Sequence, residues 1–300
     1  MTVGMKALTP LKPGDRVALA APAGPVDRAR LKGAVRMLED AGFVVSSRPD
    51  AAARVRYFAG EDARRLGELQ SALDDREVKA VFLARGGYGS QRIAPLLKKP
   101  DGPPKPVIGF SDNTALHGFL GRAWRWPTVH GPHPNPESPE EFSEVVACLA
   151  GGHRPEFTGL RTLKGGGVVA APVAGGCLAL LSATFGTPCF QRLAGRIVFM
   201  EDTWEPPYRL DRMLTHLLWA GAFRGAAAVV FGTPASFVPK DVPESEAWAV
   251  LEDFAGKLDV PVLAGLPCGH VDGNRPLLFG RKAELDPKKG TLCFTQGLTR

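Results

Sequence analysis

The 300-residue chain has no apolar run near the ~20 residues that a membrane-spanning helix needs. Met1 to Gly14 contains no apolar core of a secretory signal. Both gaps predict a cytoplasmic protein without a membrane partner. Cysteine is sparse: Cys148, Cys177, Cys189, Cys268 and Cys293 are odd in number and show no CxxC spacing. Such a set predicts reduced, mostly buried thiols rather than a disulfide framework or a zinc site. The close pair His130 and His133 sits in a proline-rich stretch with no Cys or acidic neighbour at ligand spacing, which argues against a metal. No cofactor motif is present. Basic runs are also missing. The net charge of +6 is scattered, with nothing longer than pairs such as Lys98-Lys99. That distribution argues against nucleic acid and favours steering of an anionic small substrate.

What is abundant is glycine (35) and proline (27), in a chain that is 44% hydrophobic, so many tight loops join elements with real cores. In the first half, strand and helix patterns alternate. Arg16 to Ala21 reads as a buried strand. Asp27 then caps a helix whose apolar positions Leu31, Ala34, Val35 and Leu38 recur at i, i+3, i+4, i+7, and Gly42 suits its end. Phe43 to Ser46, Lys79 to Ala84 and Pro106 to Gly109 read as further strands. Helices are expected over 61–73, 90–97 and 112–120. This alternation implies a doubly wound α/β domain built on a parallel sheet. Four prolines in 132–139 break regular structure, and a boundary is expected near 135–165, with one helix over 140–149. Beyond it, strands are expected over 168–173, 196–200, 226–231, 260–264 and 291–295. Helices are expected over 178–185 and after Pro206-Pro207.

The most informative segment is Val107 to Thr114, where an apolar strand ends in Gly-x-Ser and a helix begins at once. That is the layout of a nucleophile elbow, which pushes a serine hydroxyl out at the carboxyl edge of a sheet beside the N–H groups of a helix start. The fifth position of the elbow is Asn113 rather than glycine, and a serine that simply caps the helix has the same pattern. Arg85-Gly86-Gly87-Tyr88-Gly89 follows another strand. Its N–H groups can serve an oxyanion or another anion, although the Lys-Ser/Thr ending of a P-loop is missing. A tight turn would look the same.

A serine nucleophile needs a base, and the base needs an orienting group. Glu201 closes the apolar strand Arg196 to Met200, and His270 lies on a Gly-flanked loop after the strand 260–264. Individually these also read as an ion-pairing glutamate and a loop histidine. Together with Ser111 they follow the Ser…Glu…His order of α/β-hydrolases. His117 reads as packed within its helix and His216 lies inside another. His130 is the main competitor for the role of base.

The separated motifs GDRVALAAPAGP (14–25), RYFAGEDARRLGELQSAL (56–73), KAVFLARGGYGSQR (79–92) and IGFSDNTAL (108–116) come in order. VHGP (129–132), GGCLALLSATFGTP (175–188), EDTWEPPYRLDRML (201–214) and GLPCGH (265–270) follow. Over nearly its whole length the chain resembles the L,D-carboxypeptidases, which include muramoyltetrapeptide carboxypeptidases and microcin C immunity peptidases. The resemblance implies an N-terminal α/β domain with the nucleophile and a smaller, β-rich C-terminal domain with the other two triad members. Residues 1–135, a linker over 136–165 and residues 166–300 fit that division. It implies catalysis by Ser111, Glu201 and His270 and an oxyanion hole from the backbone of Asp112 and Gly87. It further implies a homodimer, and release of terminal D-alanine from murein tetrapeptides in cell-wall recycling. Three departures touch the pocket rather than the triad: Cys177 for the usual Asn, His133 for a common Met, and the segment 271–280, which lacks the usual Leu-Pro.

A carboxypeptidase must also hold a free terminal carboxylate, which suits an arginine fork. Arg85, Arg209 and Arg275 stand nearest the motifs in sequence. A rival specificity, for peptidyl-nucleotide toxins, would use an aromatic platform such as Trp204 or Trp124. A non-catalytic binding protein built on the 85–89 loop is the remaining alternative.

Overall fold

The computed structural model describes residues 5, 8–50 and 52–299. The first half runs β1 (Arg16–Ala20), α1 (Arg28–Asp40), β2 (Val44–Ser47), α2 (Asp62–Asp74), β3 (Val78–Leu83), α3 (Ser90–Ile93), β4 (Val107–Gly109), α4 (Thr114–Phe119) and β5 (Thr128–His130). Helix α1 begins where its cap predicts, with the Asp27 carboxylate accepting from Arg30 N at 2.8 Å. Its buried stripe is Leu31, Ala34, Val35 and Leu38. Gly42 follows at φ +89°, a conformation costly for any residue with a Cβ.

The five strands pair in parallel in the order β2-β1-β3-β4-β5. Alternation along the strands fills both faces. Val17, Leu19, Phe82, Ile108 and Val129 pack with α1 on one side. Ala18, Ala20, Val81, Leu83 and Val107 pack with α2 and α4 on the other. A Leu or Val buried this fully contributes about 1.5–3 kcal/mol, so neither face tolerates a polar side chain without a partner. The doubly wound arrangement expected from the alternating pattern is therefore present.

The second half runs α5 (Pro139–Ala150), β6 (Glu156–Phe157), β7 (Arg161–Lys164), β8 (Val169–Cys177), α6 (Leu178–Thr184), β9 (Ile197–Glu201), α7 (Pro207–Trp219), β10 (Ala228–Gly232), α8 (Pro234–Phe237), α9 (Glu244–Gly256) and β11 (Val262–Leu266). It ends with β12 (Leu277–Phe279), β13 (Lys282–Asp286) and β14 (Thr291–Phe294). Its sheet has eight strands in the order β6-β14-β13-β8-β9-β10-β11-β7. The centre, β8 to β11, is parallel, and the flanks are antiparallel. One face packs on α7 and α9 through Met200, Phe231, Leu210, Leu214 and Leu251. The other, through Val173, Phe199, Val230 and Leu263, joins the same core as the first sheet.

Two elements depart from the expected layout. Residues 136–165, expected as a linker with one helix over 140–149, carry that helix as α5 and, beyond expectation, two edge strands. The Phe142 ring of α5 lies 5.6 Å from Phe82 of the first sheet, and β6 and β7 close the two ends of the second sheet. Strand β12 leaves the C-terminal half to pair antiparallel with β5, so the first sheet gains a sixth strand from the far end of the chain. Among the described residues no helix is long and apolar enough to cross a membrane. The five cysteines are unpaired and four of them are buried.

Candidate active site

The carboxyl ends of β4, β9 and β11 converge. Ser111 follows β4 with φ +64°, a left-handed backbone that costs a non-glycine residue of order 1–3 kcal/mol. The surroundings hold it there. Asn113 Nδ2 donates to Phe110 O at 3.0 Å, Ser90 Oγ donates to Asn113 Oδ1 at 3.2 Å, and Ser90 N donates to Asp112 Oδ2 at 2.8 Å. The asparagine at the elbow's fifth position thus ties the serine turn to the first residue of α3, directly after the loop 85–89. A Cβ on Gly109 would stand 2.8 Å from Asn113 Nδ2, which explains the glycine before the turn. Burial pushes the Asp112 carboxyl up from its ordinary value.

Ser111 Oγ donates to His270 Nε2 at 3.1 Å, and His270 Nδ1 donates to Glu201 Oε2 at 2.8 Å. The backbone N–H of His270 donates to the same oxygen at 3.1 Å. The sequence residues 111, 201 and 270 are therefore one hydrogen-bonded line, with the hydroxyl on the first sheet and the other two on the second. Glu201 is fully buried, and glycines make the room: a Cβ on Gly269 would stand 2.3 Å from Glu201 Oε2, and one on Gly232 2.9 Å from Glu201 Cβ. The loop of His270 is pinned by Asn274, whose Oδ1 accepts from Gly269 N at 2.8 Å. Nothing in the local sequence marked Asn274, because its partner is set by the turn's shape. Burial pulls the His270 imidazole down, but the charge and hydrogen bond of Glu201, with Asp202 adding, leave it above its ordinary value. Burial and the adjacent Glu201 push Asp202 up to about 7.

The loop 85–89 lies against the serine. A Cβ on Gly86 would stand 2.8 Å from Ser111 Cβ and 3.1 Å from its Oγ, and Gly24 N donates to Gly86 O at 3.0 Å. Gly87 follows at φ +109°. The glycine of this loop that abuts the nucleophile is thus Gly86, whereas a Cβ on Gly87 would meet Gly24.

The other predicted residues divide. Arg85 is exposed on this same loop, with Nη1 donating to Pro25 O at 3.0 Å. Trp204 lies three residues past Glu201, 64% exposed, with φ +55°. Arg209 is paired with Glu205 at 2.9 Å. Arg275 is not available to a substrate: its Nε and Nη2 fork on Glu144 at 2.7 Å each, Nη1 donates to Glu156 O at 3.0 Å, and its plane lies 4.5 Å over Phe157. Trp124 is not a platform either, being 7% exposed and packed on Phe119 and Trp126. Nearness in sequence suggested Arg275, whose ion pairing depends on a segment more than a hundred residues away.

Two other histidines are structural neighbours of the site. His117 Nε2 donates to Gly109 O at 2.7 Å, and burial pulls its ring down to about 4. His133 Nδ1 donates to Leu83 O at 2.7 Å, and burial pulls it down to about 3. His133, in place of a common Met, therefore fastens the end of β3 next to Phe110, whose ring lies 4.7 Å away. Cys177, in place of the usual Asn, donates its thiol to Asp202 Oδ1 at 3.6 Å.

Known proteins share the sequence and the fold of this chain. Residues 17–131 match the LD-carboxypeptidase N-terminal domain and residues 170–285 the LD-carboxypeptidase C-terminal domain. A Streptomyces coelicolor relative is 37% identical, with 95% of this chain and 94% of that protein covered. The murein tetrapeptide carboxypeptidase of Pseudomonas aeruginosa is 32% identical, with 90% and 93% covered. Among solved structures, the muramoyltetrapeptide carboxypeptidase of Oxalobacter formigenes superposes with a TM-score of 0.79 at 26% identity, over 94% of this chain and 99% of its own. The microcin C7 self-immunity protein superposes at 0.85 with 20% identity, over 98% and 99%, a likeness of fold.

Proposed function

The chain belongs to the LD-carboxypeptidase family of serine-type peptidases, and from that premise we propose that it releases terminal D-alanine from murein tetrapeptides, using Ser111, His270 and Glu201. The observation that carries the reading is the unbroken line from Ser111 Oγ through His270 to the buried Glu201 carboxylate.

His270 Nε2 takes the hydroxyl proton as Ser111 Oγ attacks the carbonyl carbon. Glu201 fixes the tautomer by accepting from Nδ1 and stabilises the imidazolium that forms. The backbone N–H groups of Asp112 and Gly87 receive the oxyanion, each contributing about 3 kcal/mol to the transition state. His270 then gives its proton to the leaving amine, D-alanine departs, and water attacking the acyl-enzyme restores the serine by the same path in reverse. Residues 1–135 supply the nucleophile and residues 166–300 the acid–base pair. Arg85, exposed on the loop whose Gly86 lies against the serine, is the candidate anchor for the terminal carboxylate. A cytosolic homodimer serving cell-wall recycling suits this substrate.

A second specificity, hydrolysis of peptidyl-nucleotides, draws on one observation: Trp204 exposes its ring on the loop that follows Glu201. Incubation with murein tetrapeptide and, separately, with a peptidyl-nucleotide, followed by mass spectrometry, tests both. Free D-alanine in the first, abolished by Ser111→Ala in a folded protein, is expected. Turnover undiminished in Ser111→Ala refutes the peptidase assignment.

A further inference from the structure

Behind Glu201 stands a histidine that the mechanism does not use. His130, at the end of β5, is fully buried, and its strand pairs with β4 so that His130 lies beside Gly109, two residues before the nucleophile. Its ring is enclosed by Phe199 and Phe279, both at 5.3 Å, and Phe110 at 6.1 Å. Among the described residues neither ring nitrogen has a hydrogen-bond partner, and neither does Glu201 Oε1. These two unsatisfied groups face each other, with His130 Nε2 3.9 Å from Glu201 Oε1.

An ionised carboxylate oxygen buried with no donor is costly, and a neutral imidazole in an aromatic cage is likewise poorly placed unless its N–H meets an acceptor. In such apolar surroundings an N–H dipole pointed at an anion acts strongly even beyond hydrogen-bond length. Filling this space alone would be better done by a phenylalanine, like its neighbours Phe199 and Phe279. Burial, with His117, His270 and His133 adding, holds the ring well below its ordinary value, so it is neutral and carries one proton. The tautomer with that proton on Nε2 is the one that meets the carboxylate.

We propose that His130 is a positioning residue for the triad, presenting its Nε2–H to Glu201 Oε1 and so holding the carboxylate with Oε2 turned to His270. The inference rests on the triad reading above. It makes His130, the competitor for the role of base, a support behind the acid instead. The groups that face the Glu201–His270 pair are then Asp202 on the same strand end, His130 from β5, and Ser111. His117 and His133 are anchored on carbonyls of Gly109 and Leu83.

The test follows the His270 ring by NMR through a pH titration of the full chain without substrate. Taking away the positive end of a dipole near the pair makes it hold its proton longer, so His130→Phe is expected to raise the His270 midpoint by about one pH unit. His130→Asn, whose amide stops short of the Nε2 position, is expected to do the same. His130→Gln, whose amide reaches it, is expected to restore the midpoint to within about 0.3 unit of the parent. If His130→Phe fails to fold, the Asn and Gln variants decide. Midpoints unchanged in Phe and Asn, or shifted equally in Asn and Gln, overturn the proposal. Because no turnover is needed, this outcome is separate from the D-alanine assay, whose failure would instead sink the peptidase reading.

Discussion

Gly86→Ala isolates the contact between the 85–89 loop and the nucleophile. The backbone of Gly86 is not left-handed, so alanine meets no conformational penalty there; the whole effect comes from the added methyl. That methyl would stand 2.8 Å from Ser111 Cβ and 3.1 Å from its Oγ, whereas carbon atoms rest at about 3.5–4.0 Å. About 0.7–1.2 Å must be found. Ser111 cannot yield it easily, because its turn is pinned by Asn113 on Phe110 O and by Asp112 on Ser90 N. The loop must retreat, taking with it the Gly87 N–H proposed for the oxyanion. A misplacement of about 1 Å costs on the order of 100-fold in rate, or about 2.7 kcal/mol of activation free energy. The overpacking itself costs about 1–3 kcal/mol of stability. The assay is D-alanine release under saturating tetrapeptide, with thermal unfolding alongside. The expected result is a folded protein with kcat reduced about 100-fold or more. Gly67→Ala is the control: it lies within α2 with nothing inside 4 Å of the new methyl, so it should stabilise by about 0.5–1 kcal/mol and leave kcat alone. A Gly86→Ala enzyme with parental kcat would refute the account of the loop.

Three further outcomes are expected. Glu201→Gln should lower the His270 midpoint, because the charge and hydrogen bond that raise it are removed, and should cut kcat by roughly 10²–10⁴; an unmoved midpoint would mean that the carboxylate does not govern the imidazole. The acid limb of kcat/KM in the parent should fall above the ordinary imidazole value of 6.5, since the raised His270 must be neutral to accept the serine proton and activity is lost as pH drops through its midpoint; a limb at or below 6.5 contradicts this. Arg85→Ala should raise KM by about 10–100-fold with little change in kcat, as expected for a carboxylate anchor; Arg275→Ala should leave KM near parental but lower stability by about 1–3 kcal/mol through loss of the Glu144 fork. Reversed roles for the two arginines would show up in the same kinetics and melting curves.

The residues that carry local rules were legible. Asp27 and the stripe Leu31, Ala34, Val35, Leu38 specify α1 because capping and a 3.6-residue period are properties of adjacent positions. The Gly-x-Ser step marked the elbow, and the structure adds the φ of +64° and the Asn113 tether that distinguish it from a simple cap. Strands β5 and β12 went unrecognised, being short and pairing with each other across more than a hundred residues.

From the sequence alone came the alternating α/β plan of the first half and the motifs of the family, because each depends on residue type and near neighbours; Ser111, Glu201 and His270 came as candidates through their order and those motifs. The tertiary structure alone decided that Glu201 is sealed beneath Gly232 and Gly269 and that His130 backs it. It likewise decided that Arg275 is held by Glu144 while Arg85 stays exposed. The physical reason is that burial, ion pairing and the resulting proton affinities are set by what approaches from elsewhere in the chain. No spacing along the sequence encodes that approach until the two sheets share a core.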